Sequence, residues 1–299
     1  MNKEYISFIL KGMAMGAANV IPGVSGGTIA LITGIYERLI NAIKNFNLKA
    51  IRLLFKGQFK SFAKHVDLYF IISVFLGIGI AIISLAKLLE YLFLHYPIWV
   101  WAFFLGLVLA SVWFVGKMVK KWNFASVLSL LMGLSIAFLV SILPPASEND
   151  AIWYLLICGI VAMCSMILPG LSGSYVLIIL GNYHLVILES VSQFNFEVLI
   201  PVGIGAIIGL LAFSHLLSWL LKRFHSSTIA LLTGFILGSI GILWPWKHEI
   251  TEIFTDNTKV IIYKWIWPPM DTTFWIAFLL FISGIFVIYT TEKLAKTKS

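Results

Sequence analysis

The chain has 299 residues, 60% of them hydrophobic and 11% charged, with a formal net charge of +8. No soluble domain of this size hides so much apolar surface, and recurrent apolar runs of the length that a ~30 Å hydrocarbon core demands define an all-α, polytopic membrane protein. The basic excess is no nucleic-acid signal, because its distribution along the chain accounts for it; a cleavable leader fits poorly, since Lys11 interrupts the first apolar run.

Ten apolar segments follow one another: 5–21, 27–43, 68–93, 98–116, 124–143, 151–168, 172–189, 198–221, 228–244 and 273–291. The first two flank Pro22–Gly27, and the sixth and seventh flank Pro169–Gly173. Proline and glycine end a helix there and leave backbone polar groups without partners. Each arm is about 17 residues, short for a full crossing. This predicts two re-entrant hairpins, 5–43 and 151–189, and six full spans. The loop 44–66 sets Ile51, Phe55, Phe59 and Phe62 at helical spacing among Lys49, Arg52, Lys56, Lys60 and Lys64. That is the pattern of a basic amphipathic helix on an anionic membrane surface. The segment 245–272 reads as a loop, with Trp244-Pro245-Trp246 and Trp265-Ile266-Trp267-Pro268-Pro269 as interfacial anchors.

Charge orients these elements. Loops 44–66, 117–123 and 222–227 and the two ends hold most of the 21 Lys and Arg. Segments 144–150, 190–197 and 245–272 hold only Lys247, Lys259 and Lys264. In or beside them stand Glu148, Asp150, Glu189, Glu197, Glu249, Glu252, Asp256 and Asp271. The positive-inside rule makes the first set of loops, and both termini, cytoplasmic.

The string IPGVSGGTIALITGIY at 21–36 returns as LPGLSGSYVLIILGNY at 168–183, an offset of 147 from Pro22 to Pro169. At a second offset, 128, Gly106 and Ser111 match Gly234 and Ser239, and Lys87 falls over His215. The chain is thus read as two units, 1–147 and 148–299, each a re-entrant hairpin plus three spans. Three is odd, so the first hairpin enters from the cytoplasm and the second from outside, an inverted-topology repeat.

Paired broken helices in matching halves point to a transport site. Ser25 and Ser172 are N-cap candidates for the restarting helices, whose free N–H groups and positive dipole ends suit an anion. Gly26, Gly27 and Gly173 allow close backbone approach, and Thr28 and Ser174 add hydroxyls. The alternative, small residues that only let helices pack, stays open. Lys87 and Glu90 sit one turn apart near the outer end of their span, with His215 in the matching place of the second unit. Glu37 and Arg38 follow the first tip near the cytoplasmic surface. These five are candidates for a head-group path or for coupling, or they snorkel to an interface. His215 is also a candidate for proton coupling. Cys158 and Cys164 lie in an apolar segment, so neither a disulfide nor a metal site is expected. No nucleophile elbow, nucleotide loop or zinc-binding helix occurs, which argues against an enzyme. No cofactor is implied; proton or membrane-potential coupling stays open.

GMAMGAANVIPGVSGGTIALITGIYERLI at 12–40, with the second LPGLSGSYVLIILGNY, resembles the PopT family of bacterial polyprenyl-phosphate transporters over essentially the whole chain. The resemblance implies a flippase that returns undecaprenyl phosphate from the outer to the inner leaflet of the cytoplasmic membrane, for reuse in envelope synthesis. Its partners would be the polyprenyl phosphate and the membrane lipids. It assigns Pro22, Gly23, Ser25, Gly26, Gly27 and Thr28 to one half of the site. Pro169, Gly170, Ser172, Gly173 and Ser174 form the other. Ser174-Tyr175 replaces Gly27-Thr28 in the second tip, so the halves need not contribute equally. The residues alone also fit a carrier of small anions using the same tips, or a non-catalytic scaffold for envelope synthesis, and they set no oligomeric state.

Overall fold

The computed structural model describes residues 3–20, 25–253 and 259–296; Pro22 and Gly23 lie outside them. Helix α1 (Lys3–Val20) is about 27 Å long and the returning α2 (Gly26–Ile32) only about 10 Å. The arm 27–43, expected as one helix, breaks again before α3 (Tyr36–Lys44). Gly34 causes the break. At φ +72° it closes α2 in a left-handed glycine cap, with Ile35 N–H donating to the Ala30 carbonyl at 3.0 Å and Gly34 N–H to Leu31 at 3.1 Å.

The basic loop forms two helices rather than one, α4 (Leu48–Phe55) and α5 (Phe59–His65), parted at Gly57, φ +67°. Leu48, Ile51, Phe55 and Phe59 are exposed, an apolar face that no other part of the described chain covers. Helix α5 turns by 66° toward α6 (Leu68–His95), after which come α7 (Pro97–Lys117) and α8 (Phe124–Ile142).

The second hairpin repeats the first. Helix α9 (Ile152–Ile167) leads to α10 (Gly173–Ile179), again seven residues and again closed by a left-handed glycine, Gly181 at φ +75°. Asn182 N–H donates to Leu177 at 3.0 Å and Gly181 N–H to Ile178 at 2.9 Å, each bond 147 residues beyond its counterpart. The chain then bends by 114° into a π-helical stretch, His184–Ser190, and a short α11 (Val191–Gln193). Helices α12 (Phe196–Arg223) and α13 (His225–Gly238, extended by a 3₁₀ turn to Leu243) complete the bundle with the last helix.

The segment 245–272 is not an open loop. Strand β1 (Lys247–Ile253) pairs antiparallel with β2 (Lys259–Trp265), Lys247 opposite Trp265 and Ile253 opposite Lys259. Trp246 is buried with Ala102 and Ala277, whereas Trp267 is 91% exposed. The final helix is α14 (Thr272–Lys296). Among the described residues, α7, α8, α12, α13 with its extension, and α14 are long and apolar enough to cross a membrane, and α6 has 28 residues. The protein is a multi-pass helical membrane protein.

Four helix pairs build it: α1 with α6, α9 with α12, α7 with α14, and α8 with α13. Glycines set each crossing, as small residues do where backbones meet in membranes. A Cβ on Gly12 would overlap the Val74 carbonyl, and one on Gly77 the Ile9 carbonyl. Further along the chain Gly159 meets Val202 and Gly205 meets Leu156, shifted by the same 147 and 128 residues. Likewise Gly106 meets Phe281 and Gly284 meets Phe103, while Gly234 meets Leu130 and Gly133 meets Leu231. The repeat therefore extends to individual backbone contacts. It also extends to the one-residue turns: Tyr96 between α6 and α7 (φ −137°, ψ 47°) matches Phe224 between α12 and α13 (φ −131°, ψ 48°).

Candidate functional site

The two tips meet. Ser25 Oγ donates to the Leu168 carbonyl of the second tip at 3.2 Å, and the Tyr36 hydroxyl donates to Ile167 at 3.0 Å, capping the end of α9. A side chain on Gly27 would stand 2.8 Å from the Ile167 carbonyl, so glycine is what lets α2 lie against the second hairpin. Gly170, at φ +86°, presses the second tip onto the backbone of α13 at Phe235 and Ile236 in the same way.

Within that contact the tips differ. Ser25 is buried and caps α2, its Oγ accepting from Gly27 N–H at 3.1 Å. Asn19 Oδ1 accepts from Gly26 N–H at 2.7 Å, and Thr28 N–H reaches the Ser25 carbonyl at 2.9 Å. The first-turn amides of α2, expected to be free, are thus satisfied from within the first hairpin. Ser172 makes no such cap. Its Oγ pairs instead with Ser174 Oγ at 2.8 Å, and Ser174 is exposed. Met166 stands at the place of Asn19, and a thioether is at best a weak acceptor. Gly173 packs on that Met166 side chain.

Each tip helix also has a side chain on its last carbonyl. Lys11 Nζ donates to Thr33 at 2.8 Å, where a cation favours the negative helix end, and the Tyr154 hydroxyl donates to Leu180 at 2.7 Å, 147 residues beyond Thr33. Nothing in the sequence marks Asn19 or Lys11 as part of the tips, and Lys11 stands out only as the charge within the first apolar run; Tyr36 carries a signal, its recurrence as Tyr183. A cavity of about 110 Å³ borders the first tip, lined by Asn19, Gly26, Gly27 and Tyr36 and closed by Met166 and Ile167 of the second hairpin.

Of the remaining candidates, Arg38, Glu37 and His215 make their contacts away from the tips. Arg38 makes two bonds to Asp67, at 2.6 and 3.2 Å, reaches Glu4 at 3.3 Å, and lies over the rings of Phe8 and Phe70. It ties α1, α3 and the start of α6 together. Glu37 Oε1 lies 3.2 Å from His225 Nε2 at the start of α13. Beside it Ser218 Oγ donates to Asn41 at 2.9 Å and Lys44 Nζ approaches Ser218 at 3.4 Å. Helix α3 is thereby fastened to α12 and α13. His215 is exposed on α12, its Nδ1 2.8 Å from the Leu211 carbonyl of its own helix. Lys87 and Glu90 fall within α6, but their side chains lie outside the described residues. Cys158 and Cys164 are free thiols, and the described residues hold no cluster of metal-ligand side chains.

Known proteins resemble this chain along most of its length. A polyprenyl-phosphate transporter of Vibrio cholerae serotype O1 is 36% identical over 302 residues, covering 98% of each chain. Another, from Staphylococcus aureus, is 31% identical over 255 residues, covering 79% of this chain and 85% of that one. No solved structure matches. The family model for VCA0040-like, undecaprenyl phosphate translocase-like proteins matches residues 15–261. The chain belongs to that family, whose members are transporters and not enzymes.

Proposed function

We propose that this protein moves polyprenyl phosphate, undecaprenyl phosphate in particular, from the outer to the inner leaflet of the bacterial cytoplasmic membrane, with the phosphate received between the two tips. The observation that carries the reading is the meeting of two duplicated, polar helix breaks whose equivalent residues are in different states. The first tip is closed on itself through Asn19 and Ser25. The second keeps an exposed Ser172–Ser174 pair and Met166 where the first has its acceptor. Duplicated units that hold one sequence motif in two conformations are what alternating access uses. In that reading residues 1–147 and 148–299 are the two inverted units, and the three long helices between the hairpins send them in from opposite faces.

Helix α3 supplies the cytoplasmic closure. Glu37, Asn41 and Lys44 fasten it to the second unit, while the places 147 residues on hold His184, Leu188 and Val191, which cannot repeat those bonds. The 110 Å³ cavity is smaller than the roughly 300–1,000 Å³ of ligand pockets, so a head group enters only as the tips part. The isoprenoid tail stays in lipid meanwhile, and only a phosphate must cross. Neutral N–H and O–H donors suit that passage better than a cluster of fixed charges, from which a dianion releases slowly.

Flux of undecaprenyl phosphate in liposomes holding the purified protein tests this, with undecaprenyl diphosphate and a soluble anion as comparisons, with and without a pH gradient. The monophosphate lipid is expected to move fastest. Movement of the soluble anion alone overturns the lipid reading, and a flux indifferent to the gradient removes proton coupling.

A further inference from the structure

A groove of about 780 Å³ runs between α7 and α14, and none of its lining residues belongs to the tip cavity. Its walls are apolar and aromatic along their length, with Phe114, Ile285 and Tyr289 among them. At one end stand two ammonium groups, Lys117 and Lys293. Lys117 Nζ lies 4.8 Å above the Trp113 ring and 5.7 Å from that of Phe114, so its stem lies along the groove wall. The charge pattern puts this end at the cytoplasmic surface, because both helices run out of the bundle there into basic segments.

An apolar trough with cations at one end is complementary to an amphipathic anion, chain inward and head at the surface. The number of cations selects the head. A phosphate monoester carries about −1.5 to −2 near neutral pH and is drawn to a pair of ammonium groups more strongly than a singly charged head is. A phosphodiester lipid brings a single charge. The groove also lies on one side of the repeat only. Position 128 beyond Lys117 is Pro245, that beyond Trp113 is Gly241, and the counterpart of Lys293, by the Gly133–Gly284 match, is Ile142. The matching positions of the other face thus carry neither cation, and Lys247 nearby is bonded to the Ile242 carbonyl.

We propose that this groove holds a polyprenyl phosphate in the inner leaflet, its chain between α7 and α14 and its phosphate on Lys117 and Lys293: a second station for the lipid, apart from the tips and present on the cytoplasmic side alone. The proposal rests on the transport reading above. It is tested with the full-length protein in nanodiscs and a photoreactive polyprenyl phosphate, mapping the labelled peptides by mass spectrometry and measuring flux on the same preparation. Labelling is expected within 109–117 and 281–293. It should fall about tenfold in the double variant K117Q/K293Q, as for the loss of two charge-assisted contacts, and persist in K117R/K293R. Excess phosphatidylglycerol should not compete. Equal labelling by the uncharged polyprenol, unchanged labelling in K117Q/K293Q, or full competition by phosphatidylglycerol overturns the proposal. Flux without groove labelling overturns the groove alone, while labelling without flux overturns the transport reading and leaves the groove.

Discussion

The unequal tips make a sharp prediction for two serines that sequence alone treats as twins. Ser25→Ala removes the acceptor for Gly27 N–H and the donor to Leu168, both buried between the hairpins. A lost helix cap costs about 1 kcal/mol, and a carbonyl left without its donor about 1 kcal/mol more. The sum is about 2 kcal/mol. Ser172→Ala removes only a half-exposed contact with Ser174 and no cap, so its cost stays within about 0.5 kcal/mol. Reversible unfolding in mixed micelles, by titration with a denaturing detergent, measures both. Flux should invert the ranking relative to stability. If the Ser172 hydroxyl meets the phosphate, losing a hydrogen bond to a charged group slows transport about tenfold with the fold intact. Equal losses of stability would refute the asymmetry. A Ser172→Ala protein with normal flux would refute contact between that hydroxyl and the head group.

Other outcomes follow from the same geometry. Gly77→Ala and Gly205→Ala, at equivalent crossings, should each cost about 1–3 kcal/mol through backbone overlap. Gly79→Ala and Gly203→Ala meet nothing within 4 Å and should be neutral or gain up to about 1 kcal/mol of helix propensity, read by the same unfolding titration. Trp246→Ala, which empties a buried site over α7 and α14, should destabilise by about 3 kcal/mol, whereas Trp267→Ala should be close to silent. An environment-sensitive dye on Phe55→Cys or Phe59→Cys should report an apolar setting in anionic liposomes, and the same dye on Lys56→Cys an aqueous one. Identical spectra at all three sites would mean that α4 and α5 do not lie on the membrane.

Much of this architecture is written in periodicity and repetition, which act locally. The breaks at Gly34 and Gly181 were legible in principle, since both glycines recur eight residues after the start of the tip helix, where a left-handed cap falls. Hydropathy hid them, because the arms stay apolar across the break. The strands were similarly legible in the alternation of KHEITEI and KVIIYKW, which the tryptophan–proline clusters on either side obscured. What no local pattern carries is the partner of a polar group. Asn19 accepts from Gly26 only because α1 and α2 fold back at one angle, and Arg38 finds Asp67 across 29 residues. Repeat alignment has its own blind spot. It set His215 over Lys87, yet an offset says nothing about which side of a helix faces the interior, and His215 faces outward.

The glycine crossings have a mechanical consequence. Where two backbones touch, sliding or prying them apart opens a void that nothing fills, so packed contacts of this kind switch as units and do not deform gradually. The bundle is therefore built of four closely packed two-helix staves, and the change of access proposed above would move stave against stave. The joints between them are few. Tyr96 and Phe224, single residues with matching dihedrals, are the two places where a stave of one kind passes directly into a stave of the other, so in the proposed transport cycle the bending would fall on them.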